Sequence, residues 1–264
     1  MDWLEALILG IIQGLTEFLP VSSSGHLEIG HVLLGVESSN NLLFAVVVHA
    51  ATALSTVIVY RADIRDIIGG VFSNQWNEYH DFVIKLVISM IPVGIVGVLY
   101  GHEIEALFVG NLLLVGCSLL FTAGLLTFTF FKKPGTKSPS LLDALVMGLA
   151  QAFAILPGVS RSGSTIATGL LLGVDKDKAT RFSFLMVLAP ILGASLLKLK
   201  DYMEAPQLGD GVSTIALFVG FLAAFVSGYI ACQWMIRIVR KGKLTYFAIY
   251  CGIVGVIAIV SSLM

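Results

Sequence analysis

The sequence predicts an all-α polytopic membrane protein with six transmembrane helices and two re-entrant helical hairpins, related as an inverted-topology internal repeat. Three observations support this prediction: the composition, the lengths of the apolar segments, and the similarity between the two halves of the chain. The 264 residues are 57% hydrophobic and only 12% charged, with a mean hydropathy of +0.93, whereas an ordinary globular domain is about 25% charged. The net charge of −1, without a basic patch, gives no support for a nucleic-acid partner.

Six apolar segments are long enough to cross the membrane, because a helix spanning the ~30 Å hydrocarbon core needs about 20 mostly apolar residues. They cover residues 42–60, 82–101, 106–131, 180–198, 212–236 and 244–264. The first apolar run of the chain lacks a basic flank and a small-residue cleavage site, so we expect it to belong to the fold rather than to a removable signal. All three cysteines lie within apolar runs, and we therefore expect neither a disulfide nor a metal cluster.

Four further apolar segments are too short or too interrupted to span a bilayer. They occur as two pairs, 4–18 with 26–36 and 141–156 with 162–174, and a tract rich in Gly, Ser and Pro joins each pair. Irregular backbone at membrane depth is tolerated only where protein or a water-filled cavity surrounds it. Each pair therefore predicts a hairpin that enters the membrane and turns back, and the alternative is one long, kinked helix.

The sequence matches itself, without a gap, at an offset of 138 residues. Identical residues at equivalent positions include Ala6/Ala144, Gly10/Gly148, Gln13/Gln151, Ser22/Ser160, Gly25/Gly163 and Phe44/Phe182. A repeat of this length divides the chain into two halves, about 1–137 and 138–264. Because neither half can bury its polar tract alone, we expect the two halves to form a single membrane domain.

The basic residues are distributed unevenly between the two sides of the predicted fold. If each short pair is a hairpin, 13 of the 16 lysines and arginines lie on one side. By the positive-inside rule that side is cytoplasmic, and both termini then face outward. The hairpins enter from opposite faces, so their polar tips meet near the midplane, where inverted-repeat folds commonly bind ligands.

The second tip, "LPGVSRSGST" at residues 156–165, places a guanidinium among hydroxyl groups. An unpaired arginine at membrane depth costs about 2.5–3.5 kcal/mol on insertion scales. Arg161 presents a planar fork suited to phosphate oxygens, and a helix N-terminus beside it adds partial positive charge. We expect an oxyanion site formed by Ser160, Arg161, Ser162, Ser164 and Thr165. The alternative is a salt bridge from Arg161 to Glu17 that holds the hairpins together.

The first tip, "EFLPVSSSGH" at residues 17–26, begins with a carboxylate one helical turn after Gln13. Gln13 and Glu17 share one helix face, where their oxygens could bind Mg²⁺ or Ca²⁺ together with a phosphate. The alternative for Gln13 is a hydrogen bond between helices, beside Gly10 and Gly14, whose spacing suits close helix packing.

The rest of the first tip supplies candidates for the nucleophile and for proton transfer, which are His26, Ser22 and Ser23. The consecutive serines could instead cap the returning helix, and for Ser24 we expect this capping role. Three polar residues of the apolar segments are weaker candidates that could line a cavity or bond to a neighbouring helix: Glu28, His31 and His49.

Together the two tips provide what phosphoryl transfer requires, which is positioning of the phosphate and neutralisation of its charge. The sequence has no P-loop, no dinucleotide fingerprint and no HExxH motif, so nucleotide and zinc chemistry have no support. A site within the membrane implies an amphiphilic substrate, with phosphates in the cavity and a tail in lipid.

The segments "QGLTEFLPVSSSGH" and "PGVSRSGST" resemble the two motifs of the bacterial undecaprenyl-diphosphate phosphatase family, which is associated with bacitracin resistance. The resemblance spans the chain. It implies removal of one phosphate from undecaprenyl diphosphate at the outer face of the bacterial cytoplasmic membrane, which regenerates the lipid carrier for peptidoglycan synthesis. It also implies a divalent cation and the site residues Gln13, Glu17, Ser22, Ser23, His26, Ser160 and Arg161, with neighbouring hydroxyls. Gln13 stands where many members have Glu, which removes one negative charge from the expected metal site.

Two other functions compete with hydrolysis. Inverted repeats and broken helices are also transporter architecture, so the main alternative is a lipid-carrier flippase or transporter. A purely structural membrane scaffold is the third hypothesis. Small residues at 220–228, "GFLAAFVSG", permit close packing within one chain or between chains, which would allow a homodimer.

Overall fold

The computed structural model describes residues 1–36, 42–107, 111–204 and 212–263, and it is all-α in these ranges apart from one isolated bridge between Lys137 and Val174. The helices are α1 (Trp3–Phe18), α2 (Ser23–Leu34), α3 (Leu42–Val59), α4 (Arg61–Val71), α5 (Glu78–Ala106), α6 (Leu112–Phe131), α7 (Leu141–Phe153), α8 (Arg161–Leu171), α9 (Lys176–Met186), α10 (Leu188–Glu204), α11 (Thr214–Arg240) and α12 (Thr245–Leu263). The predicted all-α class is confirmed.

The long helices supply the candidate membrane spans. Five segments of the described residues are long and apolar enough to cross a bilayer: Glu78–Gly101, Leu112–Phe131, Lys176–Leu197, Thr214–Arg240 and Thr245–Leu263. A sixth span results if α3 and α4, which meet at an angle of 74°, count as one bent element. The chain is therefore a multi-pass membrane protein with five to six candidate spans, which agrees with the predicted set.

One predicted span starts later in the structure than in the sequence prediction. In the described residues of the segment 106–131, Ala106 still belongs to α5 and the spanning helix α6 begins at Leu112. Asn111 caps α6 by accepting a hydrogen bond from the Leu114 backbone N–H at 3.1 Å. Asparagine is among the preferred N-cap residues, since its side-chain oxygen satisfies an N–H that has no partner within the helix.

The four short apolar segments form separate helices, and α1 packs against α2 as α7 packs against α8. Equivalent positions of the repeat begin these helices. Asp2 and Ser140 each complete a capping box, while Ser22 and Ser160 each accept from a backbone N–H in the following turn. The 138-residue offset is thus expressed in the local structure of both halves.

Glycines allow the short helices α1 and α7 to lie directly against long helices. A Cβ atom at Gly10 would lie only 2.6 Å from the carbonyl oxygen of Gly220, so α1 and α11 are in backbone contact. Gly14 is equally crowded by α11, and Gly148 meets the backbone of Ser89 on α5. The close packing expected at Gly10 and Gly14 is confirmed.

The small residues of 220–228 are used within the chain. A Cβ atom at Gly228 would lie 3.0 Å from the Phe18 ring and 3.2 Å from the Ser55 hydroxyl. The same hydroxyl donates to the carbonyl oxygen of Phe225 at 2.8 Å. This packing fixes the end of α1 against α3 and α11, and it thereby positions the first tip.

Candidate active site

A cavity of about 820 Å³ separates the two tips from α3, α5 and α10. The part that α1, α2, α3, α7, α8 and the two tips line, named here the polar end, includes Glu17, Ser22, Ser23, Ser24, Glu28, His31, His49, Gln151, Ser160, Arg161 and Ser162. The part that α5 and α10 line, named here the apolar end, consists mainly of Met90, Val93, Gly94, Gly97, Val98, Ile191, Gly193, Ala194 and Leu197. The volume lies in the range of small-molecule sites, which is about 300–1,000 Å³, and the division suits an amphiphilic ligand.

Glu17 is the centre of the polar end. It is 7% exposed, and its Oε2 atom accepts hydrogen bonds from Gln13 Nε2 at 2.9 Å and from Ser23 Oγ at 2.7 Å. Its Oε1 atom is paired with the guanidinium of Arg161. A buried carboxylate requires such partners, because an unpaired charge in a low-dielectric interior is strongly disfavoured.

The Arg161–Glu17 pair joins the two tips. The arrangement that the sequence left as the alternative is therefore present in the structure. It does not remove Arg161 from the cavity, because the arginine still lines it and its side chain is 27% exposed. The guanidinium can therefore exchange one oxyanion partner for another.

Arg161 is the first residue of α8, so the N-terminal end of that helix lies at the cavity. Ser160 caps the helix by accepting from the Gly163 N–H at 3.0 Å, and its own N–H donates to Thr122 Oγ1 at 3.1 Å. The unpaired N–H groups and the dipole of a helix N-terminus favour negative charge. The second tip thus combines a formal and a partial positive charge.

The other hydroxyls of the second tip occupy different positions. Ser162 lines the cavity and donates to the Leu19 carbonyl oxygen at 3.1 Å. Thr165 bonds to Ser183 at 2.6 Å and lines a small adjoining pocket of about 10 Å³ that Glu17 also lines. Ser164 is buried and belongs to the lining of neither space, so the structure does not bring it to the site.

The three serines of the first tip have different environments. The cap of α2 is Ser22, which accepts from the Gly25 N–H at 3.2 Å and has a φ of 70°. The expectation that Ser24 caps the helix is therefore wrong: Ser24 lies inside α2, and its hydroxyl accepts from the Gly158 N–H at 3.5 Å. Ser23 is the serine whose hydroxyl donates to Glu17.

His26 lies behind the first tip. Its Nδ1 atom is 2.8 Å from the Ser22 carbonyl oxygen, and its Nε2 atom is 2.7 Å from the Tyr250 hydroxyl of α12. A carbonyl oxygen can only accept, so Nδ1 carries the proton in this arrangement. Because His26 is not among the cavity-lining residues, the structure does not bring it together with Glu17 and Arg161.

Gln13 and Glu17 offer oxygen ligands to a hard cation. The amide oxygen of Gln13 is buried and has no hydrogen-bond partner in the described part of the chain, whereas its nitrogen is bonded to Glu17. Among the described residues no group of three His, Cys, Asp or Glu side chains could hold a metal. Oxygen donors of this kind suit Mg²⁺ or Ca²⁺, but Gln13 is fully buried and is not among the residues that line the cavity.

His49 approaches the site more closely than the sequence suggested. Its Nε2 atom is 4.0 Å from Glu17 Oε2, and its Nδ1 atom is 2.8 Å from the Ala45 carbonyl oxygen. The available signal was a histidine inside an apolar segment, because an ionisable residue at membrane depth is a functional candidate by default. Glu28 and His31 line the same cavity, so all three weaker candidates belong to it.

Comparison with known proteins gives a consistent result. A family model described as "Bacitracin resistance protein BacA" matches residues 6–257. Proteins named undecaprenyl-diphosphatase are 57% identical in Bacteroides fragilis (99% of both chains), 55% in Parabacteroides distasonis (100% of both) and 41% in Methanobrevibacter smithii (100% of this chain, 99% of the relative). A match of this extent shows the family, and the chain belongs to the bacitracin resistance protein BacA family.

Proposed function

We propose that this protein hydrolyses undecaprenyl diphosphate to undecaprenyl phosphate and inorganic phosphate. The reaction recycles the lipid carrier for cell-wall synthesis and contributes to bacitracin resistance. The observation that carries the proposal is the contact of Glu17, Ser23 and Arg161 at the polar end of a cavity whose other end is apolar. The relatives named undecaprenyl-diphosphatase support the same substrate.

In the proposed reaction Ser23 is the nucleophile, because its hydroxyl already donates to Glu17 at 2.7 Å. Glu17 accepts the Ser23 proton as Oγ bonds to the terminal phosphorus, and the bond from phosphorus to the bridging oxygen breaks. Undecaprenyl phosphate leaves with the electron pair of that bond. Water then bonds to phosphorus as the bond from phosphorus to Ser23 Oγ breaks. Oγ takes back the proton held by Glu17, and inorganic phosphate leaves with the atoms of the water.

Arg161 and the N-terminus of α8 hold the phosphate oxygens during both steps. For this, the guanidinium turns from Glu17 to the substrate, which supplies a stronger and bidentate partner. Turning of the guanidinium frees Glu17 Oε1, while Oε2 keeps its hydrogen bond from Ser23 and takes the proton. Substrate binding therefore frees one oxygen of Glu17 as it occupies the clamp.

Glu17 and the Gln13 amide oxygen would hold a divalent cation, Mg²⁺ or Ca²⁺, at the first tip. When bound, such a cation neutralises charge on the diphosphate and on the departing phosphate. His26 has a positioning role, because its ring bonds to the Ser22 carbonyl and so supports the turn that presents Ser23. His49 Nε2 lies 4.0 Å from Glu17 Oε2, so proton exchange between them would pass through one water molecule.

The polyprenyl tail extends from the polar end along α5 and α10 toward the lipid. Support comes from the apolar lining of that part of the cavity. In a helix interior, glycine is less favourable than alanine by roughly 1 kcal/mol. A Cβ atom at Gly94, Gly97 or Gly193 would have no atom within 4 Å, so helix packing does not explain these glycines. Because glycine has no side chain, these three positions leave a wider path for the tail.

The fold that we propose is a single domain of two inverted repeats in the bacterial cytoplasmic membrane. α1–α2 and α7–α8 are re-entrant hairpins from opposite faces, and the site opens toward the outer face. Support comes from the 138-residue offset, from the matched helix caps and from the concentration of basic residues on one side.

Hydrolysis is favoured over transport because a flippase has no need of a serine bonded to a buried carboxylate. The test is release of inorganic phosphate by detergent-purified protein from undecaprenyl diphosphate, with Mg²⁺, Ca²⁺ or EDTA. We expect release that EDTA suppresses and that the Arg161→Ala variant lacks. Arg65→Ala is the matched control, because the Arg65 side chain is 81% exposed. No release by folded wild type with any of these additions would contradict the proposal.

A further inference from the structure

Gln151 is a buried amide that the proposed reaction does not yet use. It lies in α7, lines the large cavity and is 1% exposed. Neither its Nε2 nor its Oε1 atom has a hydrogen-bond partner among the described residues. Nearly all buried polar side-chain atoms in native proteins are bonded, so an amide with both ends unpaired beside a cavity points to a ligand.

The internal repeat explains why this amide has no partner within the protein. Gln13, its equivalent in the first half, donates to Glu17 four residues later on the same helix. The residue four positions after Gln151 is Ile155, which also lines the cavity and offers no acceptor. The second half therefore keeps the amide but lacks the carboxylate that would bond to it.

The position of Gln151 indicates which part of a diphosphate it meets. Glu17, Arg161 and Ser162 line both the large cavity and the small adjoining pocket. Gln151 lines only the large cavity and is bonded to none of these three residues. Because the proposed reaction places the terminal phosphate at Glu17, Ser23 and Arg161, the amide of Gln151 is left for the phosphate next to the tail.

We propose that Gln151 is a substrate-binding residue whose amide N–H donates to the phosphate that remains on the lipid. This inference rests on the proposed function and adds a contact to the unreacting half of the head group. Such a contact is made equally in the ground state and in the transition state. It should therefore act mainly on KM and on the affinity for the lipid monophosphate product.

The experiment uses Gln151→Leu in the full-length, detergent-purified protein, with Gln233→Leu on α11 as the control. Gln233 carries the same substitution outside the cavity. For Gln151→Leu we expect KM for undecaprenyl diphosphate to rise roughly tenfold, as for loss of a hydrogen bond to a charged group, and kcat to change little. Competitive inhibition by undecaprenyl phosphate should weaken similarly, whereas inhibition by inorganic phosphate should stay as in wild type.

Thermal unfolding separates this role from a structural one. Replacing an unpaired buried amide by an apolar group of similar size should leave Tm unchanged or raise it. An unchanged KM and unchanged inhibition by the monophosphate would overturn the inference, whether or not Tm falls. So would a change confined to inhibition by inorganic phosphate.

A second variant covers the case in which Gln151→Leu does not fold. Gln151→Glu keeps the shape of the side chain but places a carboxylate beside a phosphate, so KM should rise further than with Leu. A wild-type KM in this variant would also overturn the inference. A result that overturns the role of Gln151 would not contradict the proposed function, which is contradicted only if the wild type itself releases no phosphate.

Discussion

Arg161 and Glu17 form an ion pair between the two tips, and each comes from a different half of the internal repeat. The Glu17 side chain is 4% exposed and that of Arg161 is 27% exposed, so the carboxylate is enclosed while the guanidinium faces the cavity. Breaking a buried pair from one side is destabilising by about 3–5 kcal/mol, because the remaining charge is left without a partner. Arg161 therefore serves both the stability of the protein, through its pair with Glu17, and the binding of phosphate in the cavity.

The first prediction concerns the shape of the cation. Arg161→Lys keeps a positive charge near Glu17 but loses the planar fork that binds two phosphate oxygens at once. We expect phosphate release to fall by about 100-fold, which corresponds to roughly 2.7 kcal/mol, with a smaller loss of Tm than in Arg161→Ala. Arg65→Lys serves as the control. Activity of Arg161→Lys within threefold of wild type would show that charge alone suffices.

The second prediction distinguishes the adjacent serines. Ser23→Ala removes the hydroxyl that donates to Glu17 and should lower kcat by at least about 1,000-fold in a folded protein. Ser22→Ala removes the cap of α2, so it should lower the free energy of unfolding by about 0.5–2 kcal/mol and leave most of the kcat. Steady-state kinetics and thermal unfolding of both variants provide the measurement. If Ser22→Ala instead lost kcat and Ser23→Ala lost only free energy of unfolding, Ser22 would be the nucleophile.

The third prediction concerns acid stability at the start of α7, outside the spanning helices. Burial opposes ionisation of Asp143, but hydrogen bonds from Lys137 and Ser140 outweigh it and lower the pKa of the carboxyl below its usual 3.8. A lowered pKa contributes stability that is present above the unfolded-state value and is lost as the pH falls through the folded-state value.

Lys137→Met tests this contribution, since Lys137 Nζ is 2.9 Å from Asp143 Oδ1. We expect a loss of about 1 kcal/mol at neutral pH, a small value because Lys137 is half-exposed. The difference in Tm from wild type should shrink as the pH falls below 3.8 and disappear once Asp143 is protonated in both folded proteins. Lys133→Met, at an exposed lysine of the same loop, is the control and should show no such pH dependence.

The arrangement of helices could be predicted because hydropathy and length determine which segments can cross a bilayer. The bend at Tyr60 could not be predicted, because the apolar pattern ends there without any helix-breaking residue. Likewise, hydropathy indicates one span where the structure has α9 followed by α10. Hydropathy measures the preference of a segment for lipid, whereas such breaks depend on the helices that pack around it.

The site residues within the two motifs could be predicted from the sequence. The contacts that distant helices make with them could not. Glu17 and Arg161 stand out in the sequence because charges are rare in apolar surroundings. The direction of the His26 ring depends on Tyr250, which is 224 residues away in sequence. The approach of His49 to Glu17 likewise depends on how α3 packs against α1. The helical periodicity of one segment carries no information about its neighbours.

The last prediction concerns the length of the substrate tail. Gly97 lines the apolar end of the cavity, and a leucine there would project into open space rather than into a neighbouring helix. It should therefore narrow the tail path without disturbing the fold.

Gly97→Leu should lower kcat/KM for undecaprenyl diphosphate by about tenfold, the effect of roughly 1.4 kcal/mol. The value for the shorter farnesyl diphosphate should stay within twofold of wild type, because its tail occupies less of the path along α5. The control is Gly252→Leu on α12, where an added Cβ atom would also have no atom within 4 Å but would lie outside the cavity. An equal fall for both substrates, or no fall for either, would show that the tail does not follow α5.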